Sequence, residues 1–169
     1  MTDRELSQLS TRVGQQLLAR NASVTTAESC TGGWIAKVLT DIAGSSAWFE
    51  RGFVTYSNEA KQQMVGVSES TLAQFGAVSE QVVREMAQGA LSEAGAQYAL
   101  SVSGIAGPDG GSEGKPVGTV WFGFAAATGE VLALVERFHG DREAVRRQAT
   151  ARALQTLHDH FLKIKLDTV

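Results

Sequence analysis

Six of the eighteen glycines and both prolines of this 169-residue sequence fall between Ser103 and Gly118. Regular structure does not tolerate that density, because glycine gives up the most backbone entropy on ordering and proline removes a hydrogen-bond donor. The segment is therefore a long loop, and it divides the chain. Before it, helical and strand-like patterns alternate. After it come two β-rich runs and one helical run. No second break of this kind, no internal repeat and no linker separates domains, so one domain over residues 1–169 is expected.

Local patterns fill in the order. Thr2 and Glu5 form a capping box ahead of Leu6, Leu9, Val13 and Leu17, which recur at helical spacing and predict a helix to about Arg20. Val24 to Ala27 reads as a short strand running into Glu28-Ser29-Cys30-Thr31-Gly32-Gly33, where a helix to about Thr40 begins. Asp41 to Ser46 reads as a loop and the bulky run Trp48 to Tyr56 as a strand. Asn58, Ser68 and Ser79 are expected to cap three helices, ending near Val65, Phe75 and Gly95. Tyr98 to Val102 suits a buried strand, and Val117–Ala127 with Val131–Phe138 a hairpin turning at Thr128-Gly129-Glu130. Asp141 opens a last helix to about Lys163. Strands interleaved with helices, plus one hairpin, predict an α/β fold: a three-layer α/β/α sandwich around a mixed β-sheet.

Composition narrows the function classes. A formal charge of −3 argues against a nucleic-acid-coating surface. No apolar run approaches the roughly 20 residues that span a bilayer, and the polar start Thr2-Asp3-Arg4-Glu5 is no signal peptide. Cys30 is the only cysteine, so it has no disulfide partner in the chain and cannot build a cysteine zinc site alone. The expectation is a reduced, cytoplasmic protein with no nucleic-acid or membrane partner.

The chemistry-bearing residues gather at a few places. Ser29 sits where a strand-to-helix turn exposes a hydroxyl beside the free amides of Cys30, Thr31 and Gly32, which suits a nucleophile with an oxyanion site. A plain helix cap is the alternative, and packing is the alternative for Cys30. The base for such a serine is His139, the one histidine outside the end of the last helix, or Lys61, which burial would have to bring toward neutrality. Asn58 lies three residues before Lys61 on the same helical face, and Tyr56 is placed to orient the amine or relay a proton. A solvated lysine and an ordinary strand aromatic are the other readings. The loop through Gly104, Ile105, Ala106 and Gly107 allows close backbone approach to a ligand, with Lys115 beyond it. On the last helix, Arg142 and Arg146 project into the apolar arc of Ala149, Ala153, Leu154, Leu157 and Phe161. Inward arginines at a helix start call for an anion such as phosphate, unless the first turns overhang the core into solvent.

Four segments, in order, carry a resemblance: Thr26-Ala27-Glu28-Ser29-Cys30-Thr31-Gly32-Gly33, Tyr56-Ser57-Asn58-Glu59-Ala60-Lys61, Gly76-Ala77-Val78-Ser79, and Ser103 through Gly111. Together they resemble the CinA C-terminal domain family, in its stand-alone nicotinamide mononucleotide deamidase branch, over nearly the whole chain. The resemblance implies hydrolysis of nicotinamide mononucleotide to nicotinic acid mononucleotide and ammonia, in pyridine nucleotide recycling. It implies Ser29 as nucleophile, Lys61 as base, Tyr56 in support and Arg142 near the substrate. Arg146 or the Gly104–Gly107 stretch are the further candidates for holding the phosphate. It also implies no metal or cofactor, and a homodimer or larger homo-oligomer. Two other readings remain: a non-catalytic nucleotide-binding module of the same family, and an amidase for another small substrate.

Overall fold

The computed structural model describes residues 1–163; residues 164–169 of the expected domain lie outside the described residues. Helix α1 (Asp3–Ala19) starts at the expected capping box, in which the Glu5 amide donates to Thr2 Oγ1 at 3.2 Å and the Thr2 amide to Glu5 Oε1 at 2.9 Å. Strand β1 (Val24–Glu28) follows, then α2 (Trp34–Thr40), a 3₁₀ turn (Ser45–Ala47), the short strand β2 (Phe53–Val54) and helices α3 (Asn58–Val65), α4 (Glu69–Phe75) and α5 (Glu80–Ala94). Strand β3 (Tyr98–Gly104) leads through the glycine loop to the hairpin β4 (Thr119–Ala126) and β5 (Val131–Arg137). Helix α6 (Arg142–Thr156) runs on into a π-helical turn, Leu157–Leu162.

The sheet order is β2-β1-β3-β4-β5, with β1 parallel to both neighbours and β4 antiparallel to both β3 and β5. Helices cover both faces. Leu6, Leu9, Val13 and Leu17 of α1, Ile35 and Leu39 of α2 and Leu154 of α6 pack with Val102, Phe122 and Phe124 on one side. Val65 of α3, Leu72 of α4 and Val82, Val83 and Met86 of α5 pack with Ala27 and Ala99 on the other. Every residue of β1 is buried, as a parallel strand covered on both faces must be. The arrangement is the three-layer sandwich on a mixed sheet. Among the described residues no helix is long and apolar enough to cross a membrane.

Two local expectations are corrected. The run Trp48–Tyr56 pairs only at Phe53–Val54, with one isolated bridge from Phe49 to Val24. Its bulk serves helix packing instead: Trp48 is buried against α1, where Gly14 leaves room for the indole. The cap of α3 is Ser57, whose hydroxyl accepts from the Ala60 amide, so Asn58 is the first helical residue. Helix α2 begins at the end of the expected Glu28–Gly33 segment, with Gly33 (φ 102°) as its N-cap; the preceding residues form tight turns closed by Gly32 N–H to Ser29 C=O and Trp34 N–H to Thr31 C=O.

Candidate active site

Ligand sites in open α/β sheets gather at the carboxyl ends of parallel strands. Here the ends of β1, β2 and β3 bring together Ser29, the Thr55-Tyr56 segment and Ser103-Gly104. The turn after β1 is fixed from several sides. The Ser29 amide donates to Val102 C=O at 2.9 Å. The Glu28 carboxylate, buried under the turn, accepts from Thr31 Oγ1 at 2.7 Å and from the Ile35 and Ala36 amides at 2.9 and 3.0 Å. Glu28 thus does the capping that Ser29 was alternatively expected to do, and the serine hydroxyl is left for other contacts.

That hydroxyl meets Lys61. Helix α3 packs on α5 so closely that a Cβ on Gly89 would collide with the Val65 carbonyl, and the face of α3 bearing Val65 also carries Lys61 inward. Lys61 is 1% exposed and Ser29 8%. Lys61 Nζ lies 3.0 Å from Ser29 Oγ, 2.9 Å from Thr55 C=O and 3.1 Å from Tyr56 C=O. No carboxylate is among these partners, so desolvation of the ammonium dominates and lowers the Lys61 pKa from 10.5 to about 8. A neutral amine has two N–H bonds and one lone pair. As the ammonium, Lys61 donates to both carbonyls and to Ser29 Oγ, whose hydroxyl in turn donates to Tyr56 C=O at 3.4 Å; as the neutral amine it keeps the two carbonyls and turns its lone pair to the serine. In the neutral form the amine is placed to accept the serine proton.

The other expected site residues fall on both sides of this pair. A cleft of about 320 Å³ is lined by Ser29, Cys30, Tyr56, Asn58, Lys61, the loop Gly104, Ile105, Ala106 and Gly107, and Arg142. Arg142 Nη1 donates to Gly107 C=O at 2.8 Å, and Nη2 lies 3.3 Å from the Tyr56 hydroxyl. Tyr56 is 60% exposed, and its phenol meets Arg142 while its backbone carbonyl serves the amine. The expected phenol contact to Lys61 is thus replaced by a carbonyl that any residue would supply. Arg146 is not in the cleft: it crosses behind the turn to the carbonyls of Cys30 and Thr31, so its acceptor is backbone rather than a ligand anion. Gly32 N–H is already given to Ser29 C=O. The Cys30 and Thr31 amides have no acceptor among the described residues. Burial pushes the Cys30 thiol up to about 12, which makes it packing and not a nucleophile.

His139 ends exposed beyond β5, and among the described residues no histidine lines the cleft. Lys115 donates to Phe75 C=O at 2.8 Å, tying the glycine loop to the end of α4. Glu28 and Thr55 act through contacts that no sequence pattern marks. Ala77, Val78, Ser103 and Asp109 also line the cleft; all four lie within the segments that carried the resemblance. Among the described residues no group of three or more His, Cys, Asp or Glu side chains is arranged to hold a metal ion.

A family model described as the CinA C-terminal domain matches residues 6–161. The nicotinamide-nucleotide amidohydrolase PncC of Escherichia coli (strain K12) is 75% identical over 163 residues, covering 96% of this chain and 99% of that protein. The protein of the same name from Pseudomonas putida is 53% identical over 152 residues, covering 90% and 94%. Among solved structures, the competence damage-inducible protein A of Klebsiella pneumoniae subsp. pneumoniae MGH 78578 superimposes with a TM-score of 0.90 at 42% identity, covering 95% of this chain and 99% of that one. The competence/damage inducible protein CihA of Agrobacterium tumefaciens gives 0.89 at 46% identity, covering 93% and 94%.

Proposed function

The chain belongs to the CinA C-terminal domain family, and from that premise we propose that it is a nicotinamide-nucleotide amidase, hydrolysing nicotinamide mononucleotide to nicotinic acid mononucleotide and ammonia. The single observation that carries the mechanism is Lys61 Nζ at 3.0 Å from Ser29 Oγ, its other two directions taken by carbonyls. Neutral Lys61 removes the Ser29 proton, and the oxygen attacks the carboxamide carbon. The Cys30 and Thr31 amides receive the oxyanion, and the electron-poor pyridinium makes the carbonyl easier to attack. Protonated Lys61 passes its proton to the amide nitrogen, the C–N bond breaks and ammonia leaves. Lys61, neutral again, takes a proton from a water that attacks the acyl-enzyme, then returns it to the departing Ser29 oxygen as the acid is freed.

Arg142, with the amide-rich loop at Ala106 and Gly107, is the partner of the 5′-phosphate and holds the carboxamide over Ser29. Asn58, Gly104 and Ile105 form the walls around it. A single domain, a cytoplasmic location and a homodimeric or larger assembly belong to the same proposal.

The test is ammonia release from nicotinamide mononucleotide, nicotinamide riboside and a simple aromatic amide, by the wild type and by Ser29→Ala. The proposal expects release from the mononucleotide, a large loss of efficiency without the phosphate, and silence from the variant. Binding of the mononucleotide without turnover would instead support a non-catalytic module, and equal efficiency on all three amides another substrate.

A further inference from the structure

Strand β5 ends the sheet on the side away from β2. Its first five residues, Val131-Leu132-Ala133-Leu134-Val135, are all apolar, yet none is buried, and Val135 is 46% exposed. In β4 beside it every residue but Trp121 is buried. The two strands pair without a bulge from Ala125 opposite Val131 to Thr119 opposite Arg137. No proline or lysine, common means of blunting an open edge, occurs in β5.

The ladder to β4 shows which backbone groups of β5 are already bonded. At one end the Ala126 amide donates to Glu130 C=O at 2.9 Å, and at the other the Phe138 amide donates to Gly118 C=O at 2.8 Å. Successive residues of an antiparallel strand turn their backbone groups to opposite sides, so Leu132, Leu134 and Glu136 also turn theirs to β4. Those of Val131, Ala133, Val135 and Arg137 turn outward. Among the described residues one contact reaches them, from Arg84 Nη1 to Val131 C=O at 3.4 Å. The side chains divide by face. Leu132 and Leu134 pack toward α1 and α6, Ala133 toward α5, and Val135 joins Trp121 and the half-exposed Phe75 on a shallow apolar surface.

A second copy of this edge fits it. With the strands antiparallel about a two-fold axis at Leu134, Val131 stands opposite the second copy's Arg137 and Ala133 opposite its Val135, so every outward amide and carbonyl gains a partner. A slip of one residue would set outward groups against groups already bonded to β4, and a slip of two would carry Val131 or Arg137 past the end of the strand. On the α5 face the exposed Val135 lies beside the small Ala133, and on the other face Leu134 meets Leu134. Neither Glu136 nor Arg137 meets its own like charge.

We infer that the outer edge of β5 is a self-association surface, through which two copies of this chain join their sheets antiparallel about a two-fold axis at Leu134. The join rests on the homo-oligomeric reading above and names the edge that makes it. Strands β3 and β4 stand between β5 and the strand leading to Ser29, so each copy keeps its own cleft.

The experiment follows the full-length protein by sedimentation velocity from micromolar to near-millimolar concentration. The wild type is a dimer over part of this range. Val135→Lys sets a charge on the join, and Ala133→Pro removes an outward amide from each copy while sparing the ladder to β4. Each raises the dimer dissociation constant about tenfold or more, the scale of two lost hydrogen bonds. Cysteines then read the register, and remain informative if the proline variant does not fold. Facing residues of a non-hydrogen-bonded pair have Cα atoms about 4.5 Å apart, so oxidised Leu134→Cys forms a covalent dimer. In Val135→Cys the two cysteines lie on a diagonal roughly 7–8 Å apart and do not link. Cys30 is buried, so the wild type does not link either. A wild type that stays monomeric throughout overturns the homo-oligomeric reading and the join together. A dimer that neither substitution weakens, or one that links through Val135→Cys as readily as through Leu134→Cys, overturns the β5 join alone.

Discussion

Lys61 Nζ stands 3.0 Å from Ser29 Oγ, and the carbonyls of Thr55 and Tyr56 fill its remaining directions at 2.9 and 3.1 Å. Carbonyls accept from a neutral amine as well as from an ammonium, but they cannot supply the full counter-charge a buried cation needs. The site therefore raises the share of neutral lysine above that of an exposed side chain, although the ammonium still predominates at pH 7.

Removing either member of the pair should end turnover. Ser29→Ala and Lys61→Met are expected to lower kcat for ammonia release by about 10³-fold or more, because nucleophile and base act as one unit. Methionine keeps the length of the buried side chain, so circular dichroism should show a folded protein in which the defect is chemical.

The lowered lysine pKa also has a stability signature. Unfolded, Lys61 holds its proton up to about 10.5, and folded only up to about 8. Between those values the unfolded state binds more protons, so raising the pH stabilises the native state; below about 8 the desolvation penalty is fully present. Thermal unfolding of wild type and Lys61→Met across pH 8 to 10 should show a stability increment in the wild type that the variant lacks. Parallel curves would mean that Lys61 titrates alike in both states.

Arg142→Ala should act on binding. A charge-assisted hydrogen bond to phosphate is worth about 1.5–3 kcal/mol, so KM for nicotinamide mononucleotide should rise about 10- to 10²-fold with kcat little changed. Nicotinamide riboside, which lacks the phosphate, should show no comparable loss.

Glu28→Gln tests the clamp beneath the turn. One oxygen accepts from Thr31 Oγ1 and Ile35 N–H, the other from Ala36 N–H. An amide nitrogen in either place faces a donor with a donor. Chemical denaturation should show a loss of about 1–3 kcal/mol, and kcat should fall because Thr31 loses its anchor.

The elements legible in the sequence were those written in local chemistry. The Thr2–Glu5 capping box, the serine caps at Ser68 and Ser79 and the Thr128-Gly129-Glu130 turn each specify a boundary through contacts a few residues apart, and each stands where expected. Trp48 misled because bulk reads as β-propensity, whereas its place is set by Gly14 on a helix far away in sequence. The site divides in the same way. Ser29 and Lys61 could be singled out as types, but burial of Lys61 depends on the approach of α5 and cannot be read from α3. Tyr56 contributes a carbonyl to the amine, which carries no side-chain signal. Arg146 pointed inward as its helical position implied, yet its acceptors are peptide carbonyls, which periodicity cannot distinguish from a ligand anion.

The most direct measurement is the pH dependence of kcat/KM for ammonia release from nicotinamide mononucleotide. Neutral Lys61 amounts to about one-tenth of the enzyme at pH 7 when its pKa is near 8. The rate should climb close to tenfold per pH unit below neutrality and level off above a midpoint near 8. A profile flat from pH 6 to 9, or one still rising toward the ordinary lysine value of 10.5, would contradict a neutral Lys61 as the base that activates Ser29.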